Sequence, residues 1–192
     1  MDVFDLIKYR RSIRKYEDRQ IPREELEKVM EAGLFAPNAG GGQRTRIVAM
    51  HNKELCEKVG HLNLLRFDRS RLEGNFVSKE QPSTIDDPTI KNGFYGAPTV
   101  CVLFGPRTFL YSVPDAFCCA ANMVLAATEL GLASCIVARG EETFDNEAGA
   151  DLLRQWQISE NYVARCFVLL GYCRGDYPAA KPRRADRAKI IE

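Results

Sequence analysis

The stretch that most constrains how this chain can fold is DAFCCAANMVLAATEL at 115–130. Pro114 stands in front of it, a residue suited to the first turn of a helix, and Gly131 follows it, suited to the position just past one. Wound as a helix, the stretch is apolar around almost its whole circumference, so no side of it can be left to water. Two coverings satisfy such a helix: a central place in the core, or a partner subunit laid against it.

The rest of the chain supplies core material. RIVAM at 46–50, PTVCVLF at 98–104, LASCIVA at 132–138 and VARCFVLLGY at 163–172 are short apolar runs that read as strands. Residues 2–9 read as a short helix capped by Asp2, with Val3, Phe4, Leu6 and Ile7 packed on one side and an end near Arg10. Behind Pro22, Glu24 and Glu25 fill a first helical turn; Leu26, Val29, Met30, Gly33 and Leu34 then form an amphipathic stripe, which Pro37 stops. Residues 53–65, with Leu55, Val59 and Leu62 inward, and 146–156 complete the helices. Helices and strands alternate irregularly, which predicts a three-layer α+β domain. With 192 residues, 45% of them apolar, the chain has the size of a single domain spanning 1–192.

Two segments have little core to offer. Residues 66–93 are polar, mixed in charge and without periodicity, too long for an idle connector, and read as a lid or an insertion. Residues 173–192 are rich in charge, alanine and proline and read as an arm crossing a surface. The seven cysteines include no C-x-x-C, and Cys101, Cys135 and Cys166 sit in apolar runs, the pattern of buried reduced thiols. Cys118 and Cys119 are adjacent and cannot face the same way on a helix. His51 and His61 lack the spacing of a metal site. No apolar run is long enough to cross a bilayer and no signal peptide is evident, so a soluble, cytoplasmic protein is expected.

The formal net charge is +1, yet Lys8, Arg10, Arg11, Arg14 and Lys15 crowd into one short stretch. In an extended chain Arg10, Ser12 and Arg14 project to one side, two guanidinium groups flanking a hydroxyl. Guanidinium donors match phosphate oxygens. Lys181, Arg183 and Arg184 form a second cluster. Like charges at 4 Å repel by about 4 kcal/mol at an effective dielectric of 20, so two such clusters packed together need an anion between them. A solvated basic turn is the plainer alternative. The loop 38–43, NAGGGQ, adds consecutive glycines that let backbone approach a flat ligand, with Asn38 and Gln43 supplying amides. Neither nucleotide-binding glycine fingerprint occurs.

Taken in order, DLIKYRRSIRKY, APNAGGGQ, FYGAPTV, ELGLASCIVA, and LLGY followed by KPRR, the chain resembles the nitroreductase family of flavin enzymes from end to end. The resemblance implies an α/β/α sandwich around a mostly antiparallel sheet, and an intertwined homodimer with FMN at the interface and the C-terminal arm over the partner. It implies that Arg10, Arg11, Ser12 and Arg14 hold the FMN phosphate, ribityl chain and pyrimidine edge, and that Lys181 and Arg183, with Arg184 as a substitute, reach the phosphate. Pro37, Asn38, Ala39 and Gly41, with Gln43 nearby, match the loop that reaches the flavin from the other subunit. Ala138 and Arg139 match the backbone donor to flavin N5, and Asn63 an asparagine at the ring edge. The chain departs from the family in having Gln43-Arg44-Thr45 where many members have Gln-Pro-Trp, Gly41 in place of an asparagine, and a longer 66–93 stretch.

The implied activity is two-step hydride transfer, from NADH or NADPH to FMN and on to a small-molecule acceptor such as a nitroaromatic or quinone. The flavin carries the chemistry, tuned by Arg14 and the Ala138–Arg139 backbone, and no catalytic triad is recognisable around Ser12, Ser134 or the histidines. Flavin cleavage or dehalogenation on the same fold, and a non-catalytic flavin sensor, are the alternatives. Near-zero net charge and the lack of interleaved aromatics argue against nucleic acid.

Overall fold

The computed structural model describes residues 1–65, 83–84 and 86–192. Strands β1 (Arg46–Met50), β2 (Thr99–Pro106), β3 (Ala133–Val137) and β4 (Tyr162–Gly171) form one sheet in the order β1-β2-β4-β3, every neighbouring pair antiparallel. The two most apolar runs, β2 and β4, take the centre, where both faces are covered. Val100, Val102, Phe167 and Leu169 face one helical layer; Cys101, Leu103, Cys166, Val168 and Leu170 face the other. The alternation breaks at a bulge: Leu103 pairs with Cys166 but Phe104 with Ala164, so Arg165 is left over. Its guanidinium is buried and satisfied, donating to Ser112 Oγ at 2.8 Å and to the Pro106 and Arg107 carbonyls at 2.9 and 3.1 Å, and pairing with Glu141.

Helices α3 (Lys53–Leu65), α5 (Glu141–Phe144) and α6 (Glu147–Gln155) cover the first face through Cys56, Val59, Phe144 and Leu152. Helices α2 (Arg23–Leu34) and α4 (Ser112–Glu129) cover the second. The two pack closely at Gly33, where a Cβ would lie 2.7 Å from Met123 Cγ. The short α1 (Val3–Tyr9) lies against α4, with the Met1 amino group paired to Glu129 at 2.9 Å.

The core covers only part of the apolar helix. Ala116, Cys119, Ala120, Met123 and Ala127 are buried, but Val113 and Ala121 are exposed and Phe117 and Cys118 only half-buried. The inward faces of three helices differ in detail from the sequence expectation. On α1 only Leu6 is buried, while Phe4 is 72% and Ile7 52% exposed, so its apolar face points outward. On α2, Leu34 stands exposed. On α3 the buried face is Cys56, Val59, Gly60 and Asn63, with Leu55 and Leu62 half-buried beside it, because the Asn63 amide finds partners inside. The tail beyond Pro178 is exposed throughout. Of the 66–93 segment read as a lid, residues 66–82 and 85 lie outside the described residues. Among the described residues no helix is long and apolar enough to cross a membrane.

Candidate active site

After α1 the chain runs extended along the free edge of β3. Ser12 bridges Ser134 in parallel, and Ile13 N donates to Ser134 O at 2.9 Å. The C-terminal segment returns along its other side. Tyr16 bridges Cys173, Arg174 N donates to Lys15 O at 3.0 Å, and the Tyr177 hydroxyl accepts Arg11 N at 2.9 Å while its ring stacks on Tyr9 with centroids 4.8 Å apart. The basic stretch is thus clamped between an edge strand and the start of the tail.

That clamp produces the alternation the sequence suggests. Ile13 is buried in the core, while Arg10, Ser12 and Arg14 gather around the Cys135 thiol. Burial pushes that thiol's pKa up, against the pull of the Arg14 and Arg10 cations and the Ser12 hydroxyl. Arg10 Nη1 lies 3.4 Å from Ser12 Oγ. Neither Arg10 nor Arg14 has a carboxylate partner among the described residues, and Arg14 Nε is buried with no hydrogen-bond acceptor. Arg11 is used differently: its Nη1 donates to the carbonyls of Lys8, Tyr9 and Arg10 at 2.6 to 2.8 Å, putting its charge on the C-terminus of α1.

Ser12, Arg14, Lys91, Tyr95 and Arg174 line a cleft of about 640 Å³, to which Asp87 and Asp176 add carboxylates. The Arg14 guanidinium lies 5.8 Å from the Tyr95 ring centroid. Tyr95 has a φ of 55°, a left-handed conformation that an aromatic residue adopts only when its surroundings impose it. They do: Asn92 accepts Phe94 N at 2.7 Å and donates to Glu57 O at 3.1 Å, Phe94 is buried against Phe167, and the Tyr95 hydroxyl accepts Thr84 N at 3.2 Å.

Ala138 and Arg139 form the turn just after β3. Asn63 Nδ2 donates to Arg139 O at 2.9 Å and to Thr143 Oγ1 at 2.8 Å, and the Thr143 hydroxyl donates to Arg139 O at 2.8 Å. On the other side, a Cβ on Gly140 would lie 2.4 Å from Ala164 O, so the turn is pressed onto β4. The loop 37–43 stands elsewhere. Ala39 N donates to the buried Asp115 at 3.0 Å on the first turn of α4, and Asn38 Oδ1 accepts Gln43 N at 2.8 Å. Pro37, Gly40 and Gly41 are exposed, and Gly40 and Gly41, with φ of 60° and 62°, have open space where a Cβ would stand. Ser134 follows the far end of α4, whose 18 residues span ~27 Å, so one chain holds the loop and Ser12 at opposite ends of that helix.

The described contacts therefore join Arg10, Ser12 and Arg14 in one cluster and Asn63 with Arg139 in another. They keep the loop apart and leave Lys181, Arg183 and Arg184 along the exposed tail. Tyr95, Tyr177 and Asp115 are missed by sequence reasoning. The one available signal was a bulky residue immediately before the glycine of FYGAP.

A four-stranded antiparallel sheet between two helical layers, with a cleft on its edge lined by Arg14, Lys15, Lys91 and Arg174, defines an α+β sandwich with a cation-rich edge cleft. The sequence profile of the nitroreductase family matches residues 7–172. The chain belongs to that family. A Methanothermobacter thermautotrophicus protein, provisionally named NADH dehydrogenase/NAD(P)H nitroreductase, is 41% identical over 59 residues, 31% of each chain. The FMN reductase [NAD(P)H] of Bacillus subtilis is 35% identical over 52 residues, 27% of this chain and 21% of that one. The matched segments thus span a third or less of these curated relatives. A Bacteroides fragilis nitroreductase solved with bound FMN superposes over 100% of both chains with a TM-score of 0.83 at 28% identity.

Proposed function

We propose that the protein is an FMN-dependent oxidoreductase that uses NADH or NADPH to reduce small electrophilic acceptors, nitroaromatics or quinones among them, and that it works as a homodimer. The observation that carries this reading is the pair Arg10 and Arg14 flanking Ser12, without a carboxylate partner among the described residues, with a buried Arg14 Nε that has no acceptor among them. Uncompensated guanidinium groups held at a sheet edge are costly alone and fit a phosphate or an electron-rich ring edge. When bound, FMN would supply the chemistry: NAD(P)H gives up a hydride and leaves as NAD(P)⁺, and a nitro acceptor takes the two electrons with two protons to become nitroso plus water.

Arg10 and Ser12 would take the phosphate, joined by Lys181, Arg183 and Arg184 from the tail. Arg14 would place its charge at the pyrimidine edge, where reduction builds negative charge. Arg11, engaged by the α1 carbonyls, would add to the field without a direct contact. The Ala138–Arg139 backbone, steadied through Asn63 and Thr143, would offer the N–H to flavin N5. Pro37, Asn38, Ala39, Gly41 and Gln43 would come from the partner, a reading that their separation from Ser12 along α4 supports. The outward apolar face of α1, the open strip at Val113 and Ala121, and Ile190 and Ile191 at the end of the tail supply the surface a second copy would cover.

The test is the purified protein under anaerobic conditions. A flavin absorption band that NADPH or NADH bleaches, and that 4-nitrobenzamide restores, is expected. A colourless protein that takes up no added FMN refutes the reading.

A further inference from the structure

The strongest unassigned feature is a patch of arginines laid on aromatic rings near the N-terminal end of α4. The Arg44 guanidinium lies 4.5 Å from the Phe109 ring centroid and donates to Ala39 O at 3.2 Å. Two residues on, at the first position of β1, the Arg46 guanidinium lies 4.4 Å from the Tyr162 centroid. Tyr162 in turn shares the wall of a cavity of about 760 Å³ with Arg107, Phe117, Ala138 and Gly140. Arg44, Arg46 and Arg107 are all exposed, and none has a carboxylate partner among the described residues. The carboxylates of that cavity stand on its α5 side, where Glu141 is paired with Arg165, Glu142 acts on Arg139, and Asp145 completes the row.

An ordinary surface arginine wanders; these two lie over rings, which restrains the guanidinium groups. A guanidinium carries five N–H donors; one of those on Arg44 is spent on Ala39 O, and the group also packs over the side-chain-free face of Gly42. Uncompensated cations gathered in one patch repel, a cost that an anion between them removes. The neighbouring rings of Phe109 and Tyr162 add a surface suited to another flat ligand.

We infer that this patch selects the electron acceptor, favouring a planar aromatic that carries a carboxylate, which bridges the remaining N–H donors of Arg44 and Arg46. The inference rests on the proposed function in one respect: the loop 37–43 that reaches the partner's cofactor brings Arg44, the next residue, to the mouth of that site. A dinucleotide pyrophosphate is the other anion that could use the same donors. It offers the rings no flat group at the charge, which is why the aromatic carboxylate is chosen.

The test compares kcat/KM for 4-nitrobenzoate and 4-nitrobenzamide, which differ in charge, for the holoenzyme and for Arg44→Gln, Arg46→Gln and Arg44→Lys. Benzoate binding is measured separately by calorimetry. The unaltered protein should prefer the carboxylate by about tenfold, the size of one charge-assisted contact. Either glutamine variant should bring the ratio towards one, weaken benzoate about tenfold and flatten its salt dependence. The lysine variant should restore part of the preference. A ratio near one in the unaltered protein, or one that the variants leave intact, overturns the inference, even if the protein is yellow and bleached by NADPH. An intact ratio with slower bleaching by NADPH also overturns it, assigning the patch to the dinucleotide. A colourless protein that ignores FMN removes this inference and the proposed function together.

Discussion

Arg14→Met separates a residue kept for a ligand from one kept for the fold, because the two roles predict opposite signs. Methionine retains an unbranched stem and removes the charge. Without cofactor, the protein loses a cation–π contact to Tyr95 which, at 5.8 Å, contributes about 0.5 kcal/mol. It is relieved of a buried, unsatisfied Nε worth about 1–2 kcal/mol, and of repulsion from Arg10 on the same face. Cofactor-free Arg14→Met should therefore be as stable as the parent or about 1 kcal/mol more stable. FMN binding loses a charge-assisted contact of about 1.5–3 kcal/mol, so affinity should fall by about 10- to 150-fold. Urea unfolding of the flavin-stripped proteins gives the first quantity and quenching of FMN fluorescence on titration the second. A variant that unfolds more easily by over about 1 kcal/mol yet binds FMN as before would make Arg14 a structural residue and refute the reasoning.

Two further outcomes follow from groups away from the cleft. Asn63→Leu strips the Arg139 carbonyl of one of its donors and puts an apolar group among polar ones, so urea unfolding should register a loss of about 2–4 kcal/mol, and a loss below 1 would show that the turn holds without it. Burial pushes the Cys56 and Cys166 thiols up to about 12 from an ordinary 9.0. The unfolded chain then gives up those protons first, so stability is intact below pH 9 and falls as the pH climbs towards 12, by about 1.4 kcal/mol per unit for each thiol. Urea midpoints compared at about pH 8 and about pH 10.5 should show the decline, and equal midpoints would contradict it.

Much of the architecture can be read from hydrophobic period alone. β1 and α3 fall on the residues their patterns predict, α6 sits directly behind its Asn146 cap, and α2 starts behind Pro22. The failures are places where tertiary contacts outweigh local pattern. Helix α5 is four residues long, too short to carry a period, and exists where Gly140 packs on β4 and Glu141 meets Arg165. Arg165 looks like an interruption in an apolar strand and is in fact the bulge residue that changes which face the strand presents. Leu55, Val59 and Leu62 of α3 do pack against the core, and Asn63 joins them because a turn 76 residues away in sequence offers its amide a carbonyl. At the site, extended alternation foretells that Arg10, Ser12 and Arg14 share a side. That they share it around Cys135 depends on which strand edge receives them, a long-range pairing that no local signal encodes. Tyr95 is invisible for the same reason, its left-handed backbone being imposed by Asn92 and Phe94.

Native mass spectrometry of the protein as purified bears most directly on the central claim, that clustered cations from separated stretches of the chain enclose a flavin between two copies. The account predicts pairs of chains carrying one FMN each. Single chains without flavin, unchanged after FMN is added, would contradict it.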